Sequence, residues 1–390
     1  MTIKLYWENS YKTKFNGKIV SIKEKGIELD QTLFYPESGN QLSDKGYLKV
    51  NDNLIRIEQV TREEGKILHH MATDSIKNLN VGDRVEGEID WKYRYGLMKT
   101  HTSQHVLSAV LKEKYNIDTL RATLNFEEAI IQLSKDINYD QLKEVLIYVN
   151  QIFTKNNLTL TSRIMSRKDA EKLTKKIRSE IPNESEIRLI EIENLDLVCC
   201  GGTHVQNTSE IGEIFIYDFK KGNEIKYFVG NKALSNKADI DIGILYLSNE
   251  LKIPFNNFKK EVSNRLNYIK LLEDQQKELS IKYLQSIANS PIKIVNQISL
   301  FLVDFDIDIK ILGKSLDFFP VNSVIIVRME PNKIRLFSLN NEIYANTILE
   351  KLINKYGGKG GGNPKSAQAY LEKMPENLIS KIESLLLEDI

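Results

Sequence analysis

Two short stretches hold most of this chain's metal-binding chemistry. "HTSQH" sets His101 and His105 four residues apart, and "VCCGGTH" sets Cys200 and His204 four apart around a Gly-Gly step. The chain has only five histidines and two cysteines in 390 residues, so chance pairing of this kind is rare. Four residues is just over one helical turn, so on a helix both imidazoles point the same way. In the second stretch, Gly201 and Gly202 let the chain turn tightly enough to bring thiolate and imidazole together. Each pair alone has a plain alternative: two surface histidines, or a strand end followed by a turn. Combined, His101, His105, Cys200 and His204 offer three imidazole nitrogens and one thiolate sulfur, a donor set suited to Zn2+. Cys199 reads as a bystander, because neighbouring strand residues face opposite ways. A thioredoxin-type pair needs C-x-x-C, which is absent. His69 and His70 in "KILHHMATD" read as a strand end.

The elements that must carry these residues follow from periodicity. Residues 1 to 95 alternate short apolar runs with turn residues, as in "GKIVSIKEKGIEL" and "RVEGEI", and predict a small antiparallel β-barrel or sandwich. "FYPESGNQLSDKG" interrupts that pattern as a long polar loop, a natural carrier of function. From Trp91 the period changes. Leu97, Met98, Val106, Leu107, Val110 and Leu111 form one helical stripe around the two histidines. "TLNFEEAIIQL" reads as a strand, "YDQLKEVLIYVNQIFTK" as an amphipathic helix, and "EIRLIEIENLDLVCC" as a strand ending at the ligand pair. "EIGEIFIYDFKKGNEIKYFVG" reads as a hairpin. After Pro254 a long amphipathic helix runs to about residue 288, packed on its own domain or acting as a coiled-coil arm. A small α/β domain closes the chain, with the Gly-rich "YGGKGGGNPKSAQAYL" inside it and a terminal helix in "LISKIESLLLEDI".

Composition narrows the class. At this length about two to three domains are expected. A net charge of +1 offers no global basic field, so any nucleic-acid binding must rest on local patches. No apolar run approaches a membrane span, and "MTIKLYWENSYKTKF" lacks the apolar core of a signal peptide. Two adjacent cysteines make no disulfide framework, so a reducing cytoplasmic location is expected.

The motifs in this order resemble the editing domain of alanyl-tRNA synthetases and their free-standing AlaX relatives. That family carries an HxxxH helix, then C-G-G-T-H-V about a hundred residues later, then T-x-E-I-G. Thr208, Glu210, Ile211 and Gly212 fit the continuation. "TLFYPESGNQLSDKG" resembles the family's T-x-F-Y-P-E-x-G-G-Q-x-x-D-x-G at Thr32, Phe34, Tyr35, Pro36, Glu37, Gly39, Gln41, Asp44 and Gly46. Asn40 stands where the family usually has Gly, a change that Asn's tolerance of positive φ can absorb. "GGKGGGNPKSAQA" resembles the Gly-rich motif of the C-terminal C-Ala (DHHA1) domain of the same synthetases. "GGKGGG" is no P-loop, since Lys359 precedes Gly rather than Ser or Thr. No ATP-binding motif and no room for an aminoacylation core are seen, so the resemblance implies the long free-standing form.

It implies an α+β chain with four parts: a β-barrel domain over 1–95, a zinc editing domain over 96–245, a helical linker or arm over 246–290, and a C-Ala-like tRNA-binding domain over 291–390. It implies a zinc-containing trans-editing hydrolase for tRNA(Ala) mischarged with Ser or Gly. The alternatives are a non-catalytic zinc-containing tRNA-binding protein, or an editor of mischarged tRNA(Thr). Gln41 and Thr32 are candidates for orienting substrate or water. Thr123, Gly201 and Gly202 are candidates for lining the substrate, Thr123 by sensing a serine side chain. In the C-terminal domain Gly358, Lys359, Gly360, Gly361, Gly362 and Lys365 form the expected tRNA-backbone contact, with Asn363 and Pro364 suited to cap a following helix. A homodimer through this region is a further expectation.

Overall fold

The computed structural model describes residues 2–305 and 307–388. Met1 and the last two residues of the expected terminal helix, Asp389 and Ile390, lie outside them. The chain forms two compact units, 1–247 and 248–390. The expected barrel and editing domains both fall within the first.

The N-terminal segment is a seven-stranded antiparallel sheet. Its spatial order is Asn53–Ile57, Gly46–Val50, Arg84–Ile89, Lys14–Lys23, Gly26–Leu29, Lys66–His70 and Gln59–Glu63. Alternation in strands such as Gly46–Val50 and Arg84–Ile89 turns every second residue inward. Phe15, Ile19, Ile27, Leu48, Val50, Ile57, Val60 and Val85 share one buried cluster. The expected barrel is corrected here. The edge strands Asn53–Ile57 and Gln59–Glu63 do not pair with each other among the described residues. They run into one another through Glu58 alone, which leaves no turn in which to form a ladder. The central strand Lys14–Lys23 bends at a bulge between Ile19 and Ser21 and serves both halves.

Helix Trp91–Tyr115 follows directly, capped by the Asp90 carboxylate on the Tyr93 amide. Its Val106, Leu107, Val110 and Leu111 enter a second core. A four-stranded sheet (Thr119–Asn125, Glu128–Leu133, Glu224–Val229, Ile214–Lys220) and helix Tyr139–Gln151 supply the rest of that core. "TLNFEEAIIQL" is therefore a hairpin rather than one strand, turning at Phe126 and Glu127. A three-stranded sheet of Leu160–Ser166, Glu186–Ile192 and Asp196–Cys199 delivers the second ligand pair.

The second unit holds helix Phe258–Ala288 and a six-stranded mixed sheet ending in Ser366–Leu371 and Gly358–Gly362. The Gly-rich segment is thus an edge strand, not a loop. Lys359 pairs with Tyr370, and a Cβ at Gly360 would meet the Gln368 carbonyl and Ala369. The element directly after it is the strand Ser366–Leu371, not a helix capped by Asn363 and Pro364. Asn363 accepts from the amides of Lys365 and Ser366 and makes a tight turn into the next strand. None of the described helices is long and apolar enough to cross a membrane.

His69 is more than a strand end. It has no exposed surface, and its ring nitrogens meet Thr32 Oγ1 at 2.8 Å and the Ile27 carbonyl oxygen at 3.2 Å. Burial holds its pKa down to about 4. The unfolded chain takes up this proton near pH 6.5, the folded one only near 4, so stability is present above that window and is lost as pH falls through it. The full effect is roughly 3 kcal/mol. Between pH 6.5 and pH 5, urea unfolding of the wild type should therefore weaken more than that of His69→Gln. Parallel pH profiles for the two proteins would contradict this account.

Candidate metal centre

The sequence pairs converge. His101 and His105 sit one turn apart on helix Trp91–Tyr115, with ring centroids 4.9 Å apart. The loop leaving strand Asp196–Cys199 brings the His204 ring to 4.4 Å from His101 and 4.9 Å from His105. Cys200 Sγ lies 3.4 Å from His101 Nε2 and 3.3 Å from His204 Nε2. One ligand atom from each of the four residues lies within 4.8 Å of all the others. With Zn–S near 2.3 Å and Zn–N near 2.0 Å, the S···N edge of a tetrahedron is about 3.5 Å. The observed separations fit that figure, so these residues suit the ion they imply.

Two of the three outward nitrogens are also held. His101 Nδ1 donates to Gln41 Oε1 at 2.8 Å, an oxygen that also accepts the Thr203 amide at 3.1 Å. His204 Nδ1 meets Thr102 Oγ1 at 3.2 Å. Among the described residues His105 Nδ1 has no hydrogen-bond partner; it lies 3.9 Å from Asp196, which Arg178 grips with two bonds. Such outer partners fix ring orientation and tautomer.

Electrostatics favour a cation at the centre. Burial opposes a thiolate at Cys200, yet His101 and His204 outweigh it and hold the thiol well below its ordinary value. Burial holds His204 down to about 3, which keeps its lone pair free. Burial opposes charge on His105 as well, but Asp196 and Cys200 pull it up to about 9. Two anions beside His105 thus demand positive charge there, as a proton or a metal ion.

The other expected residues sort by contact. Gln41 has no exposed surface, and its Nε2 donates to Thr203 Oγ1 at 2.9 Å. Its amide is engaged at both ends, so it positions a ligand rather than meeting substrate. The Thr32 hydroxyl is buried at the root of the loop, bonded to His69 and accepting the Phe34 amide. Thr123 lies on strand Thr119–Asn125, beside Leu124, whose amide donates to the Asn40 carbonyl. Asn40 does adopt positive φ, at 66°. Gly201 and Gly202 do not, so the turn needs no left-handed residue. Gly202 is required by close approach instead, since a Cβ there would strike the His101 ring and Gln41 Oε1. Gly201 is exposed, and its carbonyl accepts from Trp7 Nε1 at 2.8 Å. Cys199 faces the other way, against Ile187 and Leu189, and burial pushes its thiol up.

Sequence reasoning did not single out Thr102, Thr203, Asp196, Arg178 or Arg188. Only Thr102 and Thr203 carried a signal, each lying inside a ligand motif. The "T-x-E-I-G" stretch proves to be a clasp: Glu210 accepts the hydroxyls of Tyr11 and Tyr95 and the amides of Gln206 and Asn207.

Replacing Gly202 with Ala should displace the His101 ring and cost about 1–3 kcal/mol through overpacking. Metal analysis of the purified variant should show less bound zinc than wild type. The same substitution at Gly201 should leave the zinc content unchanged.

Residues 187–226 match the family described as threonyl and alanyl tRNA synthetase second additional domain, and residues 6–93 match that described as tRNA synthetases class II (A). The chain is 28% identical to the alanine–tRNA ligase of Sulfurisphaera tokodaii and 34% identical, over 227 residues, to that of Saccharolobus islandicus. It spans only 44% and 25% of those ligases. To the alanyl-tRNA editing protein AlaX-L of Pyrococcus horikoshii it is 30% identical, over 97% of this chain and 96% of that one. A likeness that runs nearly end to end in both proteins makes this chain a member of the alanyl-tRNA editing protein family.

Proposed function

We propose that this protein hydrolyses the ester of mischarged tRNA(Ala), Ser-tRNA(Ala) first and Gly-tRNA(Ala) second. An alanine site cannot exclude glycine and rejects serine only weakly, so a separate site must remove the errors. The observation that carries the reading is the buried convergence of His101, His105, Cys200 and His204, with His204 also lining an open cleft. Zinc held by these four would supply a Lewis-acid charge beside the ester. The chain's own residues prepare that site. Gln41 Oε1 accepts a hydrogen bond from His101 Nδ1–H, which leaves the Nε2 lone pair free at the centre of the cluster. Thr102 holds the His204 ring, and Asp196 sets a negative charge beside His105. Thr123 is exposed on strand Thr119–Asn125, next to the residue that bridges to Gln41, and no hydrogen bond engages its hydroxyl among the described residues; this free hydroxyl supports it as the serine sensor.

The second unit would hold the tRNA. Lys359 and Lys365 are exposed on the glycine edge strand and its turn, where two cations and bare backbone suit a phosphate chain. Leu266, Ile269, Leu272 and Leu279 on helix Phe258–Ala288 are exposed, which supports a homodimer through this region. A second reading, a non-catalytic tRNA-binding protein with structural zinc, draws on the donor set itself, because four protein ligands are typical of structural sites.

Deacylation of Ser-tRNA(Ala), Gly-tRNA(Ala) and Ser-tRNA(Thr) separates these readings. Wild type should hydrolyse the two tRNA(Ala) substrates, and Cys200→Ala should fall to background. Gln41→Ala should lose about 10–100-fold in activity or metal affinity. No hydrolysis of any substrate by zinc-loaded protein leaves the binding reading in its place, and a preference for Ser-tRNA(Thr) moves the substrate to mischarged tRNA(Thr). Lys359→Ala combined with Lys365→Ala should weaken tRNA binding in a filter assay while zinc content stays at wild-type level.

A further inference from the structure

One buried charge near the cluster has no carboxylate partner among the described residues. Arg188 lies on strand Glu186–Ile192, where its carbonyl accepts the Cys200 amide. It is 6% exposed. Nη1 donates to the carbonyls of Gly202 at 2.6 Å and Cys200 at 3.2 Å. Nε, screened from solvent, has no partner among the described residues. The one anion facing Arg188 is the Cys200 thiolate, which the metal cluster already claims; the phenols of Tyr35 and Tyr6 beside it are held neutral by burial. The other arginines near this site are treated differently. Arg94 pairs with Asp44 and Arg178 with Asp196. Two carbonyl dipoles do not neutralise a guanidinium, and a buried charge left so costs several kcal/mol unless an anion joins it.

The place for that anion is on the surface beside it. A cleft of about 250 Å³ is lined by Trp7, Tyr11, Ser162, Arg188 and His204. Its one acidic lining residue, Glu8, is exposed. The volume lies near the lower end of small-molecule sites, about 300–1,000 Å³, so the cleft admits the end of a chain and not a stem. His204 belongs both to this cleft and to the metal cluster. In an aminoacyl-tRNA the ester sits on the terminal ribose, and the nearest anion is the phosphodiester of that same nucleotide. The amino acid itself carries an ammonium, which a guanidinium repels.

We propose that Arg188 binds the phosphodiester of the terminal nucleotide and so seats the ester against the His204 side of the cluster. This rests on the hydrolase reading above. A planar fork with free N–H groups suits a phosphate oxygen pair.

Zinc content and thermal midpoint are measured first for Arg188→Gln and Arg188→Lys. With zinc retained, Arg188→Gln should raise KM for Ser-tRNA(Ala) roughly 10–100-fold, the worth of a charged hydrogen bond, with kcat unchanged. Its dependence of log KM on log salt should flatten by about 0.7, one single-strand phosphate contact. Arg188→Lys should recover part of KM and the full salt slope. A fall in kcat with KM and salt slope unchanged would place Arg188 at the reacting atoms and overturn the proposal.

If Arg188→Gln loses zinc, wild type decides. Adenosine 5′-monophosphate, the terminal nucleotide with its phosphate, should bind at least about tenfold tighter than adenosine, read from the Trp7 indole N–H resonance. Equal binding of the two overturns the proposal. That titration needs no turnover, so it stands even where the protein hydrolyses none of the tRNAs and the hydrolase reading alone has failed.

Discussion

A guanidinium and a carboxylate with no exposed surface hold the N-terminal sheet to the ligand helix. Arg94, one turn into that helix, grips Asp44 with Nε and Nη2. The same guanidinium donates to the carbonyls of Leu33 and Ser10. Asp44 also accepts the Tyr35 amide at 2.6 Å, so the whole loop from Leu33 to Asp44 is pinned at both ends. Removing one partner of such a pair leaves a bare buried charge, at a cost of about 3–5 kcal/mol. The consequence is positional. Because the loop cannot shift along the helix, Gln41 meets His101 and Thr203 together. Through one side chain the N-terminal sheet, the helix and the ligand loop share a single geometry.

Much of the ligand set was legible because its spacing is local. Four residues on a helix and four around a Gly-Gly step carry their meaning within one turn of chain. The resemblance of "TLFYPESGNQLSDKG" located the loop but not the partners of its polar side chains. Thr32 and Gln41 stand as candidates for orienting substrate or water. Their hydroxyl and amide are engaged by His69, His101 and Thr203, partners 37, 60 and 162 residues away. Nothing local in a sequence reports such distances. The same limit explains Asp196 and Arg188, each an unremarked charge in an apolar strand until the fold brings it to the cluster.

Two backbone features were hidden for a different reason. Five residues with four glycines carry no strand propensity, so Gly358–Gly362 reads as a loop; only the neighbouring strand Ser366–Leu371 makes it a ladder. Closure of the N-terminal sheet depends on whether two edges meet in space. Period-2 alternation specifies which face is buried, and says nothing about the edges.

The two ligand pairs enter the cluster from far apart in the chain, His101 and Cys200 being 99 residues from each other. An ion held by both would tie off nearly a hundred residues of otherwise free polypeptide. A covalent cross-link over such a span restricts the unfolded ensemble by about 4.7 kcal/mol in the chain-entropy view. Where thiols are kept reduced a disulfide cannot persist in that role. A coordinated ion can, and its departure under chelation would return all of that slack at once.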